Sequence, residues 1–288
     1  MTVLPCHLLF TFSCFLSVLS RLSRIFFMSE KKQVLVKDFG LFYEVLRSAI
    51  KIVDSAKFIV TDTGLAIYGA RGKIARCELT SDAIYSTEKI EFSVLDLSLL
   101  VKIAGTVKDI HKDDYSDFKF IVDLPFIRFE SKKFKTKLTT INEDAISKWV
   151  SKKVESKLEP VLEFKTNGDM IKSINSHSYI FSDPNSLRVY LETKADMENN
   201  TIYATLGNNE NSLNNEITLK AGLITYGNIE AGRHIIVDLE RWNLFNALPS
   251  KDITISLMNM NVLVSKASIS GKNGSCFNLT IYSSILKS

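Results

Sequence analysis

The chain is poor in the residues that carry most catalytic and metal chemistry. Of its 288 residues, four are cysteine and four are histidine. There is no Cys-x-x-Cys and no Cys/His metal spacing, which argues against a zinc site, a redox dithiol or a disulfide framework. Cys6 and Cys14 lie near the N-terminus, and Cys77 and Cys276 stand singly in strand-like runs, where they read as small buried apolar residues of a reducing compartment. His7, His111, His177 and His234 join no Ser/His/Asp or Cys/His arrangement. The stretch Gly69 to Ile74 contains Gly72-Lys73 but lacks the P-loop spacing and its following Ser or Thr, and reads as a hairpin exit. Asp113, Asp114 and Asp117 sit near His111 in a loop with no second ligand set, so a solvated loop is the simpler reading. A metal-dependent enzyme at Asp113 and Asp114 is the rival from another class. No catalytic residue, metal or cofactor is expected.

Excess charge is scarce as well. The chain has 36 Lys+Arg against 32 Asp+Glu, a net +4, and two of those charges, Arg21 and Arg24, precede Met28, leaving about +2 for residues 28–288. A polycationic nucleic-acid coat is excluded, and any anion binding must come from local placement of Lys and Arg. Hydrophobic residues at 45% and charged residues at 24% are ordinary for a globular protein, and the length suits two domains.

Residues 2–20 are uncharged and mostly apolar, approaching the length of a membrane span. In a secretory signal the positive charge would come first and small residues would end the run; here Arg21 and Arg24 come after it. Met28-Ser29-Glu30-Lys31-Lys32 looks like an ordinary cytosolic start. Residues 1–27 are therefore expected to be a leader upstream of the working protein, with a membrane anchor or a processed leader as alternatives, and no membrane association is expected.

What the chain does have is repetition. Glu91 to Gly105 and His234 to Leu248 each read as a short strand, a turn and one amphipathic helix, followed by a β-rich stretch. A helix and a hairpin precede each. A period of roughly 130 residues is too long for a solenoid unit and implies two tandem copies of one domain.

In the first half, Leu41, Phe42, Val45, Leu46, Ala49, Ile50 and Val53 form one apolar helix stripe, opposite Glu44, Arg47, Ser48 and Lys51. Phe58 to Tyr68 reads as a hairpin turning on Asp62-Thr63-Gly64, with Gly at the φ > 0 position. Strands are predicted near 73–79 and 89–94, a helix over 95–104 stopped by Gly105, and strands near 117–123, 126–130 and 134–140. The second half repeats the order: a strand at Leu162 to Lys165, a helix capped by Asn167 or Asp169, and a hairpin from Tyr179 to Leu191 turning on Asp183-Pro184-Asn185. Strands follow near 201–206, 216–220 and 234–238, then a helix over 239–247 ended by Pro249, then strands near 252–258, 261–267 and 277–282. The expected domains are residues 28–140 and 161–288, joined by a polar connector, 141–160, with Trp149 in its middle. The fold class is α+β: two tandem β-α-β-β-β-α-β-β-β domains, mostly antiparallel, each helix packing one face on a sheet.

Three segments resemble a known family: Leu41 to Ile67 with its Thr61-Asp62-Thr63-Gly64 hairpin, Leu95 to Gly105 with its Lys-Ile-Ala-Gly ending, and Leu239 to Met258. In order, spacing and duplication they are similar to the two-domain DNA sliding clamps, which include proliferating cell nuclear antigen and the phage clamps. The likeness spans about 34–286, and the Asn content of the second half suggests a divergent phage or viral member. The resemblance implies a ring-forming homotrimer with helices lining the hole, acting as a non-enzymatic polymerase processivity factor. Its partners would be double-stranded DNA without sequence preference, a DNA polymerase and an ATP-driven clamp loader. It would work in the cytoplasm or wherever DNA replicates.

The DNA-facing basic residues so implied are Arg47, Lys51, Lys102, Lys172 and Arg241, a sparse lining that touches phosphates without reading bases. Asn246 and Ala247 stand where a family lysine is common. A groove for partner peptides is implied at Ala70, Ile74, Trp149, Val150, Ile281 and Tyr282, and subunit pairing between the strand of Phe134 and Lys135 and that of Ile202 and Tyr203 in the next chain. The nearest alternative keeps the fold without a ring: a monomeric or dimeric processivity factor held on DNA by charge.

Overall fold

The structure is a computed structural model that describes residues 31–72, 74–112, 114–141, 158–181, 187–193, 200–207, 216–230, 234–248, 252–271 and 274–285. The leader, the connector from 142 to 157 with Trp149 and Val150, Asp113 and the turn at Asp183 to Asn185 fall outside them.

The first repeat runs β1 (Lys32–Val36), α1 (Phe39–Ile50), β2 (Ala56–Thr61), β3 (Gly64–Arg71), β4 (Ala75–Ser81), β5 (Ile84–Tyr85), β6 (Ile90–Val94), α2 (Leu97–His111), β7 (Lys119–Asp123), β8 (Phe126–Glu130) and β9 (Lys135–Thr139). The second runs β10 (Pro160–Thr166), α3 (Gly168–His177), β11 (Arg188–Glu192), β12 (Thr201–Gly207), β13 (Ile217–Gly227), β14 (Ile235–Asp238), α4 (Leu239–Asn243), a 3-10 turn (Leu244–Ala247), β15 (Ile253–Met258), β16 (Val262–Ser270) and β17 (Cys276–Ser284). The order of elements repeats. Between its two helices the first repeat has five strands and the second four, against the three of the expected scheme, because β5 is separate and β13 is one long strand that does the work of β4 and β5 together.

Local chemistry explains the helices. Asp38 caps α1 by accepting from the Leu41 N–H at 2.8 Å, Asp96 caps α2 through Leu99 N–H at 2.9 Å, and Asn167 caps α3 through Met170 N–H at 2.9 Å. The α1 stripe is buried as its spacing predicts, Val45, Leu46 and Ala49 completely. Gly64 turns the β2–β3 hairpin at φ 135°, and a Cβ there would lie 2.4 Å from the Ser81 carbonyl oxygen.

Gly105 does not end its helix. α2 runs on to His111, and Gly105 lies where α1 and α2 cross, with a Cβ at that position meeting the Tyr43 hydroxyl at 3.3 Å. Its missing side chain makes room for an aromatic ring rather than terminating a helix. Tyr179 and Ile180, expected in a strand, form a 3-10 turn with Tyr179 86% exposed.

Every strand pair is antiparallel. A five-stranded sheet, β5-β1-β7-β8-β9, belongs to the first repeat; a twelve-stranded sheet, β14-β11-β12-β13-β10-β15-β16-β17-β4-β3-β2-β6, crosses both. The repeats join where β17 pairs with β4 over seven positions, from Phe277 opposite Ser81 to Ser283 opposite Ala75. Beneath it lies one apolar cluster that runs through both repeats, with Phe58 stacked on Phe92, Phe120 beside Phe129, and Trp242 against Phe245.

A polar latch closes one end of this junction. Asp82 accepts from Lys37 Nζ at 2.6 Å and from the Cys276 N–H at 2.6 Å, while Ser81 Oγ donates to the Cys276 carbonyl at 2.9 Å and Ser275 Oγ to Asp38 at 3.2 Å. The Lys37 ammonium first, then the Cys276 N–H, hold the Asp82 carboxyl below its ordinary range. A depressed carboxyl pKa contributes stability that is fully present above the unfolded value, near pH 4, and lost as pH falls below it. The unfolding midpoint of the parent should therefore drop faster below about pH 4 than that of Asp82→Asn, which is weaker at pH 7 and converges with the parent at acid pH. Parallel curves would remove the latch from the account.

Candidate nucleic-acid and partner interfaces

The helices form a layer on one side of the sheets, and the cations they carry fall unevenly. α1 and α2 run antiparallel, with Leu97 N–H bonded to the Asp54 carbonyl at one end and Lys108 beside Glu44 at the other. This places Arg47 near the level of Lys102. Lys51 and Lys102 are exposed. Arg47 pairs with Glu44 at 3.5 Å and lies 5.8 Å from the centre of the Tyr43 ring. Lys108 sits 4.8 Å over the same ring and 3.9 Å from Glu44, an addition to the basic set that the sequence reading missed. The signal for it was spacing, since a lysine three residues after a helix-crossing glycine shares that crossing.

In the second repeat Lys172 is exposed on α3. Arg241 is not available as expected. Its side chain is only 18% exposed and pairs with Asp238 at 3.1 Å, one turn back at the start of α4. The neighbouring Glu240 pairs with Arg71 of the first repeat at 3.1 Å.

The expected groove is partly assembled. Ala70, Arg76 and Tyr282 are cross-strand partners in one row over β3, β4 and β17, so they share a face. Ile74 joins them at the strand ends, its carbonyl accepting from Ser283 Oγ at 3.4 Å. Burial, then the Glu78 carboxylate, raise the pKa of both Tyr68 and Tyr282 on this face. Ile281 is a correction: it is fully buried, because alternate residues of a strand face opposite ways and Tyr282 takes the outer side. The apolar residues that do stand at this end are Met260, 61% exposed in the β15–β16 turn, and Ile285, whose N–H bonds the Asn261 carbonyl.

The expected subunit strands need the same adjustment. β12, with Ile202 and Tyr203, is interior, paired by β13 along Thr201–Leu206 and by β11 from Tyr203 on, so it is not an edge strand. The open edge is its neighbour. Ile217 to Lys220 of β13 pair with β12 only, since pairing with β10 begins at Leu223. Among the described residues β9 is an edge, bonded to β8 alone, with Lys135 exposed. Phe134 lies just before it and packs against the first-repeat core.

The His111 loop is built for structure. His111 is buried, with Nδ1 3.2 Å from the Asp114 carbonyl and Nε2 2.9 Å from Ser131 Oγ, while Asp114 and Asp117 accept from the backbone N–H groups of Ser116 and Lys132. Among the described residues no group of three His, Cys, Asp or Glu could hold a metal ion. Burial pushes the Cys77 thiol up to about 12, whereas Cys276 is exposed, contrary to its expected burial. No helix among the described residues is long and apolar enough to cross a membrane.

Two tandem repeats, helices on one side and a sheet running unbroken from one repeat into the next, define the sliding-clamp fold, α+β and two-domain. Solved structures of that class match nearly their whole length. The chain is similar to proliferating cellular nuclear antigen from Entamoeba histolytica (17% identity, TM-score 0.59, 90% of this chain and 99% of that one). It is also similar to A. fulgidus PCNA bound to the C-terminal region of FEN-1 (12%, 0.62, 90% and 99%) and to the PCNA2–PCNA3 complex of Sulfolobus tokodaii (13%, 0.56, 89% and 99%). No protein-family model and no curated protein matches the sequence.

Arg241 is largely buried against Asp238 at the start of α4. Arg241→Ala is expected to cost about 1 kcal/mol, a fall in melting temperature of roughly 2–4 °C, with DNA affinity unchanged. A loss of affinity at unchanged stability would return Arg241 to the DNA-facing set.

Proposed function

We propose that this chain is a sliding clamp, a non-enzymatic processivity factor. Three copies close head to tail around duplex DNA and tether a DNA polymerase and other replication proteins. The observation that carries this reading is the pair of open edges. Inside the chain, the last strand of the second repeat, β17, pairs with β4 of the first. The same positions in the other order are β9 and the early part of β13, and among the described residues each is paired on one side only. A second copy satisfies them by repeating a junction the chain already makes with itself, and a head-to-tail contact that closes gives a ring.

A closed ring needs little binding energy, because it cannot leave DNA sideways. Few, sequence-blind phosphate contacts hold it centred while it slides. The mild net charge fits this better than it fits the charge-held alternative. A stable ring implies an ATP-driven loader to open it. Ala70, Ile74 and Tyr282, with Trp149 and Val150 of the connector, are the proposed seat of an apolar partner peptide.

Topology gives the test. The protein is bound to a linear duplex whose ends are then capped with bulky blocks. A ring stays on through a high-salt wash and leaves when one cap is cut away. Release by salt with both caps in place would point instead to a factor held by charge.

A further inference from the structure

We infer that the two repeats divide the work at the DNA, with phosphate contact made by the first-repeat helices alone. This rests on the sliding-clamp reading and goes beyond its even basic lining. The first-repeat layer presents Arg47, Lys51, Lys102, Lys108 and Lys112, spread along the full length of the antiparallel α1–α2 pair. Among the described residues Lys51, Lys102 and Lys112 have no carboxylate partner, and Arg47 and Lys108 share the single carboxylate of Glu44. Asp38 and Asp96 turn a carboxylate oxygen to the helix N-termini they cap, and Asp54 and Asp109 are the other exposed acids of this surface, so the cations, not an absence of acids, mark this layer off from the second.

The second-repeat layer is different in kind. Lys172 is its one exposed cation among the described residues, with Asp169 and Glu240 on the same helices and Arg241 drawn in by Asp238. α4 has five residues where α2 has fifteen. The shortened helix leaves a hollow of about 630 Å³ lined by Lys172 and Glu240 together with Asn175, Ser176, Asn243 and Asn246. The single cation there is offset by the single carboxylate and the rest are neutral amides and a hydroxyl, so the hollow offers phosphates no net attraction. Because each neutralised phosphate adds to counterion release, affinity and its salt dependence follow the cations, and these lie on one repeat. In a ring of three chains the duplex meets three basic patches separated by three neutral ones, and rests against one patch at a time.

The test measures binding of the full chain to a linear duplex with free ends, onto which a ring can thread, over a series of salt concentrations. Lys51 and Lys102 are exposed and unpaired, so their removal leaves packing intact. Lys51→Ala with Lys102→Ala is expected to lower the slope of log affinity against log salt by about one for each lysine in contact. Lys172→Ala, and even the charge reversal Lys172→Glu, should leave slope and affinity within twofold of the parent. Equal losses from the two repeats, or no loss from the first-repeat pair, would overturn the division of work while leaving the clamp in place. A parent chain that fails to bind duplex at any salt would instead overturn the clamp reading itself.

Discussion

The β17–β4 ladder is the contact on which the rest of this structure depends. Each repeat alone would present that strand to water as an open edge, with unsatisfied N–H and C=O groups on one side and a half-covered core beneath. Pairing them merges two sheets into one of twelve strands and lets a single apolar cluster run through the junction. The seven paired positions fix how one repeat is turned relative to the other. In the proposed assembly they would also set the direction in which copies add, because a chain that joins its own repeats head to tail leaves the complementary head and tail edges open on one side.

The helices complete the argument by position rather than number. They pack against the continuous sheet, α1 on β4 and β17 and α3 on β13, and leave their outer faces exposed. Side chains there do two jobs that compete for the same charges. Glu44, Asp238 and Glu240 tie down Arg47, Lys108, Arg241 and Arg71, which stabilises the layer locally and withdraws cations from any ligand. What remains is sparse. Sparse contact is what the proposed clamp would require, to stay on DNA and still move along it.

Much of this was legible in the sequence, for reasons that can be named. The α1 stripe and the Gly64 hairpin are local signals, set by helical period and by a backbone angle that only glycine takes easily, and both stand in the structure. The duplication was legible because the repeats keep the same order of local signals. The errors fall where a residue answers to a distant partner. Gly105 reads as a helix stop until Tyr43, 62 positions away by number, is seen to need its space. Ile202 reads as an edge residue until β13 pairs with it and β11 closes the other side of β12 from Tyr203 on. Arg241 is a different case, read as a free cation although Asp238, one turn before it, is near enough in sequence to pair. Alternation along β17 would have separated Ile281 from Tyr282, a local signal that the groove assignment overrode.

Self-association through β9 and β13 is the claim that holds the account together, and the mass of the purified chain in solution measures it directly. Light scattering over a concentration series down to nanomolar should give three times the 32.5 kDa of one chain. A particle that remains at the mass of one chain at the highest concentrations would contradict the ring, whatever the likeness of the fold.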